Sequence, residues 1–331
     1  MRRPYCTRML FENIVQACSI RRWTSTARAG CIFKRSDCQT MSDETEQRKS
    51  AESKNSKSNN SESNDTESKK MAREVEDLSQ PKSRIVYEAI KQAGQEELTR
   101  PTQSLLWSGI AAGILISFSV LGEAILRTYL PDAPYGYLIE NIGYSLGFML
   151  VILGRMQLFT ENTITTVLPL IEDFKKKNMF CVAKLWSIVL AANVIGAFLI
   201  TALYVFTPAL PEDLAPAMLS LSEHAVFMPP LDSFYKAIPA GILIAAIVWM
   251  IPQSESSAFM IILVFTWLIA AGDFTHIVAG SVEMAYLMWL GELGLMEATF
   301  GFFLPVFFGN VVGGTLIFSF LVWGQVKNEI E

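Results

Sequence analysis

The sequence predicts an all-α polytopic membrane protein: six transmembrane helices in two inverted three-helix repeats, with the second and fifth spans interrupted. Three observations lead there. Residues 101–122, 185–211, 237–254 and 298–326 contain no Asp, Glu, Lys or Arg. Each run is close to or above the roughly 20 residues a helix needs to cross about 30 Å of hydrocarbon. Two further apolar stretches, Ile142 to Ile171 and Ala258 to Leu290, are broken by polar residues. Short motifs recur in the same order in the two halves.

Averages over the chain conceal this. The 331 residues are 51% apolar and 18% charged, with a net charge of -5, close to a soluble protein. Residues 1–40, however, carry eight Lys/Arg against two Asp/Glu, residues 41–100 eleven against thirteen, and residues 101–331 eight against seventeen. The acidic, apolar body excludes a nucleic-acid binder and a water-exposed globular fold.

Residues 1–80 are expected to be a disordered polar tail, because a stretch such as Lys54-Asn55-Ser56-Lys57-Ser58 buries too little apolar surface to offset chain entropy. Within it, residues 1–40 read either as an Arg-rich targeting peptide or as a start assigned too early, with translation beginning at Met41. Four of the five cysteines fall there at spacings that match no zinc pattern. Over 81–101, Ile85, Tyr87, Ala89, Ile90 and Ala93 alternate with Lys82, Arg84, Glu88 and Lys91. This predicts a short amphipathic juxtamembrane helix, against the membrane or over a pore mouth. The six-span domain follows at 102–326 and a cytoplasmic end at 327–331.

Span two is broken by Arg155 and Glu161 around Leu158-Phe159-Thr160, and span five at Gly272-Asp273-Phe274-Thr275-His276. Ala112-Gly113-Ile114-Leu115-Ile116 recurs as Ala240-Gly241-Ile242-Leu243-Ile244, Asn193-Val194-Ile195-Gly196 as Asn310-Val311-Val312-Gly313, and Phe159-Thr160 as Phe274-Thr275. With three spans per half, the second half must be inverted. Interrupted segments at matching positions point to a transport site at the repeat interface. Lys175, Lys176, Lys177 and Lys184 lie between spans two and three, whereas Glu212, Asp213, Glu223 and Asp232 face a single Lys236 between spans three and four. The positive-inside rule then puts the lysine loop and both termini in the cytoplasm.

Irregular backbone within a membrane must be buried in protein or line a cavity, and half-helix N-termini there offer free N–H groups and partial positive charge to an anion. His276, one of two histidines, lies in the second break and can donate to an anion or relay a proton; a structural histidine on a loop carbonyl is the plainer reading. Thr160 can present its hydroxyl to a permeant or bond back to its own helix. Phe159, Phe274 and Phe118 are candidate constrictions, and Thr275 adjoins the histidine. Glu161, Asp273, Glu283 and Glu123 are costly in a bilayer and should face protein or water. Glu283, seven residues after His276, shares its helical face and can tune its proton affinity. Arg155 is expected to pair with Glu161 or Asp273 and hold the breaks. Asn193 and Asn310, beside small residues, suit amide bonds across closely packed helices. One histidine among scattered acids makes no metal motif, so neither metal nor cofactor is expected.

These residues resemble the formate/nitrite transporter family. The resemblance covers roughly residues 84–326. It rests on Gly154-Arg155-Met156-Gln157-Leu158-Phe159-Thr160-Glu161-Asn162, on Phe274-Thr275-His276-Ile277-Val278-Ala279, and on Phe308-Gly309-Asn310-Val311-Val312-Gly313-Gly314. It implies an aquaporin-like six-helix protomer, a homopentamer with one pore per subunit, and passage of small monovalent anions such as formate or nitrite, often with a proton. It implies a lipid bilayer, in a bacterial inner (plasma) membrane, as the setting. The family's pore threonine falls on Thr160 and its central histidine on His276. The chain departs from the family pattern at Gln157, Glu161, Thr275, Gly280 and Gly241, which marks a divergent branch. A channel for water or a small neutral solute is the alternative, although the paired Asn-Pro-Ala signature of aquaporins is missing. A membrane enzyme built on His276 and the acids has no nucleophile pair to support it.

Overall fold

The structure, a computed structural model, describes residues 82–330; the expectations for residues 1–80 lie outside them. The helices are α1 (Ser83–Thr99), α2 (Thr102–Tyr129), α3 (Gly136–Glu140), α4 (Ser145–Leu153), α5 (Phe159–Thr165), α6 (Val167–Glu172) and α7 (Lys176–Phe206) in the first half. The second half holds α8 (Ala215–Val226), α9 (Pro230–Met250), α10 (Ala258–Ala271), α11 (Ile277–Leu290), α12 (Leu304–Val311) and α13 (Phe320–Ile330).

Among the described residues, five helical stretches are long and apolar enough to cross a membrane: Thr102–Tyr129, Gly136–Leu153, Lys176–Phe206, Pro230–Gln253 and Glu297–Glu329. The expected fifth span is two shorter apolar helices, Glu255–Ala271 and Ile277–Leu290, on either side of its break. In the last span, π-helical turns at Glu297–Phe303 and Val312–Ser319 flank α12. Pro305 in α12 has no N–H to give and its ring crowds the preceding turn, a strain that a wider turn accommodates.

The interior is built from close helix pairs. α2 packs along α7, and α9 along α12. Small residues permit both contacts: a Cβ at Gly113 would strike the carbonyl oxygen of Asn193, and one at Gly196 that of Ile110. In the second half, Gly241 meets the carbonyl of Asn310 and Gly313 that of Ile238. Without a hydrophobic force between helices in lipid, such backbone approach is a main source of association.

The amphipathic helix α1 buries Val86, Tyr87, Ile90 and Gly94. It rests on protein as well: Gly94 abuts Thr165 and Pro169, Lys91 bonds Glu172 at 3.0 Å, and Gln325 of α13 bonds Ser83 at 3.1 Å. The connection between α7 and α9, noted in the sequence for its acids, folds into α8. It packs on α11 with Met218, Leu221 and Val226 buried.

Candidate functional site

Each break has the same construction. At the first, α4 ends at Gly154, Arg155 takes a left-handed φ of 52°, and the N–H groups of Arg155 and Met156 bond the carbonyls of Ile152 and Val151. At the second, α10 ends at Gly272, Asp273 takes φ 56°, and Asp273 and Phe274 bond Ala270 and Ile269. An asparagine then starts the next helix. Asn193 Oδ1 accepts from Phe159 N at 3.0 Å, while its amide donates to the carbonyls of Gln157 and Gly109, both at 2.8 Å. Asn310 Oδ1 accepts from Ile277 N at 2.8 Å, and its amide donates to Thr275 at 3.0 Å and Ala237 at 2.8 Å.

This geometry corrects the pairing expected from the sequence. Phe159-Thr160 is not the counterpart of Phe274-Thr275; the turns superpose Gly154 on Gly272, so Phe159 corresponds to Ile277 and Leu158 to His276. The Phe-Thr coincidence is one of composition, whereas the glycine, the left-handed residue and the asparagine bond define the register. The N–H groups of Phe159 and Ile277 are also not free for an anion as expected, because the asparagines occupy them.

His276 caps α11. Its Nδ1 accepts from Ala279 N at 3.3 Å and its Nε2 lies 2.8 Å from Thr160 Oγ1. An acceptor Nδ1 leaves the proton on Nε2, so the imidazole donates to the Thr160 hydroxyl, whose own proton is left for another acceptor. The Phe148 ring stands edge-on at 5.0 Å and fixes the imidazole plane. Among the described residues the Thr160 hydroxyl bonds His276 and not its own helix, and so joins the two breaks. Thr275 is tied down by its hydroxyl, which donates to Ser233 O at 2.8 Å.

His276 faces a cavity of about 60 Å³ whose polar lining includes Glu123, Glu283, Asp273, His224, Asn141 and Tyr144. That is room for a few waters or a small ion. Glu123 is only 8% exposed. Among the described residues its carboxyl has no hydrogen-bond or ion-pair partner, and neither has that of Glu283. Asp273 is ion-paired with Lys236 and lies 2.9 Å from His224 Nε2. Phe274 lines the same cavity.

Other candidates lie elsewhere. Arg155 is exposed and pairs with neither Glu161 nor Asp273 among the described residues, contrary to expectation: Asp273 is held by Lys236 and His224. Glu161 is outside the lining of the His276 cavity, and its buried Oε1 has no partner among the described residues. Phe159 is fully buried, stacked on Phe307 at 5.5 Å and edge-on to Trp186 at 5.6 Å. Phe118 is 37% exposed and is not among the residues that line the His276 cavity. The reading of the sequence missed His224, Tyr144 and Asn141. Of these only His224 carried a signal, as the second histidine of the chain.

Long apolar helices, broken segments pinned by buried asparagines, and a polar cavity ending on a buried histidine define an integral multi-pass membrane protein of the channel or transporter class. The chain belongs to the formate/nitrite transporter family, whose profile, described as Formate/nitrite transporter, matches residues 84–324. It is similar to the inner membrane protein YfdC of Escherichia coli (strain K12), 38% identical over 256 residues that cover 77% of this chain and 83% of that protein. It is also similar to the formate channel FocA of Haemophilus influenzae, 25% identical over 244 residues, covering 66% and 84% of the two chains. Among solved structures, the fold resembles a pentameric formate channel with formate bound, at 20% identity and a TM-score of 0.56, covering 72% of this chain and 99% of that one. An FNT family ion channel matches at 17% identity and a TM-score of 0.63, covering 72% and 98%.

Proposed function

We propose that the protein is a pore or secondary transporter for a small monovalent anion of the formate or nitrite type, which moves with a proton handled at His276. The observation that carries this reading is the His276–Thr160 pair, set between the two breaks at the end of a polar cavity. The Thr160 hydroxyl accepts from the imidazole Nε2–H and keeps its own proton to donate to an anion. Taking up a proton at Nδ1 costs the histidine its contact with Ala279 N, so protonation and the start of α11 are coupled. Glu283, Asp273 and Glu123 supply proton-exchanging groups in the same cavity, whereas Glu161 sits apart and tunes the first break.

On this reading α10 and α11 together make the fifth of six crossings, and the two asparagine-pinned breaks are the matching parts of two inverted repeats. The domain spans 102–326, with α1 as a juxtamembrane helix and both termini in the cytoplasm. It assembles as a homopentamer in a bacterial inner membrane, as the formate-bound relative's pentameric form suggests. The work is transport, without catalysis.

A second reading is favoured by one feature: three carboxyl groups and, among the described residues, no lysine or arginine line the approach to His276, a lining suited to a neutral hydrogen-bonding solute. It makes the protein a channel for water or a small neutral solute. Uptake into proteoliposomes of formate, nitrite, acetate, lactate and a neutral solute, measured across a pH range, separates the two. The anion reading expects at least one anion to move well above empty liposomes and faster at lower pH. Flux confined to the neutral solute and indifferent to pH would establish the second reading instead.

A further inference from the structure

Away from the His276 cavity, the outer face carries an apolar cleft of about 540 Å³, of the order of one fatty-acyl chain. Its walls come from α6 with the following Phe174, from α7, and from the last span. The α7 wall presents Met179, Ala183 and Trp186, and the opposite wall Leu316, Phe320 and Trp323. Phe174 is 74% exposed and Leu316 55%. A row of large apolar side chains this open needs a cover.

The cleft has a deep and a shallow end. At the deep end, Trp186 Nε1 donates to Asn162 O and Thr166 Oγ1 at 3.2 and 3.0 Å, and Thr315 donates to Thr163 O at 2.7 Å. The shallow end lies beside α1, which bonds to Glu172 just before α7 and to Gln325 just after Trp323. Toward that end each wall helix carries a lysine just outside the cleft lining. Lys176 stands one turn before Met179 on α7. Lys327 follows Phe320 and Trp323 at helical spacing, and its ammonium lies 5.1 Å from the Trp323 ring centre.

The two acids just before α7 are already matched. Glu172 is bound by Lys91 at 3.0 Å, and Asp173 by Lys175 at 2.8 Å. Glu329 is two residues past Lys327, on the opposite face of α13. Among the described residues Lys176 and Lys327 have no ion-pair partner, and both are exposed. Two unmatched cations at the mouth of an apolar cleft suit one class of ligand: an anion attached to a hydrocarbon chain.

We propose that this cleft is a binding site for an anionic phospholipid, its acyl chain between Trp186 and Trp323 and its phosphate between Lys176 and Lys327. The site is independent of what permeates the protein. The full-length protein, reconstituted with small mole fractions of brominated phosphatidylglycerol or brominated phosphatidylcholine, provides the test, because bromine on an acyl chain quenches an indole it touches. Brominated phosphatidylglycerol is expected to quench at a several-fold lower mole fraction than the choline lipid. That quenching component is expected to vanish in the Trp186→Phe/Trp323→Phe variant. The headgroup preference is expected to vanish in Lys176→Gln/Lys327→Gln, whose exposed positions leave the fold intact. Equal quenching by both lipids would reduce the cleft to ordinary bilayer contact and overturn the proposal. So would a preference that survives loss of both lysines, or no quenching from the cleft tryptophans, the result expected if a second copy of the chain covers them.

Discussion

At residues 154–158 and again at 272–276 the chain leaves a helix through a glycine and a left-handed residue, and an asparagine from a later helix pins the return. From that point the two regions part. The first break delivers Leu158 and Phe159 into a dry aromatic core with Phe307 and Trp186. The second, at the position matching Leu158, delivers His276 to a polar cavity. Their left-handed residues differ as well: Arg155 is exposed and unpaired among the described residues, while Asp273 is clamped by Lys236 and His224. One backbone device thus serves twice. The protein places its chemistry by changing the side chain carried at the device, not the device itself.

The sharpest way to break this comparison is to make the second break like the first. His276→Leu is expected to lower proton-dependent anion flux about 100-fold or more, the scale of losing a positioned acid–base group. Proteoliposome uptake at two pH values measures it, and flux with unchanged pH dependence would remove the histidine from the mechanism. Next come the shared asparagines. Asn193→Ala and Asn310→Ala each strand buried backbone groups, at a cost on the order of 3 kcal/mol. Similar losses in thermal unfolding are expected, and a cost at one break alone would end their equivalence.

The turns themselves should respond in opposite directions. Arg155→Gly relieves a left-handed conformation without breaking any side-chain hydrogen bond or ion pair among the described residues, and is expected to stabilise by about 1 kcal/mol. Asp273→Gly gains the same relief but loses Lys236 and His224, for a net destabilisation of about 1 kcal/mol. Paired melting curves of the two variants decide it. The smallest effect belongs to a contact outside both breaks. Partial burial by itself lowers the Lys91 pKa, but hydrogen bonds to Glu88 and Glu172 outweigh it and raise it above the ordinary lysine value. The contribution of that contact is therefore complete below about pH 10.4 and fades as pH rises through the raised value. Lys91→Ala should cost less than about 1 kcal/mol at neutral pH, with flux unchanged. A thermal-shift series taken to alkaline pH follows the fading.

Much of this molecule was legible because the bilayer makes simple demands. The absence of charge over 185–211 or 298–326 has one economical explanation, and a polar break such as Gly272-Asp273 inside an apolar stretch must be buried or line a cavity. His276 and Thr160 stood out for the same reason. What could not be read was any pairing between residues far apart in the chain. Nothing in one dimension says that Asp273 is held by Lys236 rather than Arg155, that Glu161 lies outside the cavity containing Glu283, or that a connection rich in acids folds into α8 and brings in His224.

The sequence by itself determined that the chain is a membrane protein of mostly uncharged helices, where those helices break, and which small residues let them approach. These properties are local, set by hydropathy and side-chain size along a single segment. Only the tertiary structure decided the register between the two breaks, the tautomer of His276 and the company of its carboxylates. Each depends on distances between atoms brought together by packing, and the hydrogen bonds that settle them, such as Asn310 to Ile277 and His276 to Thr160, exist only once the helices have met.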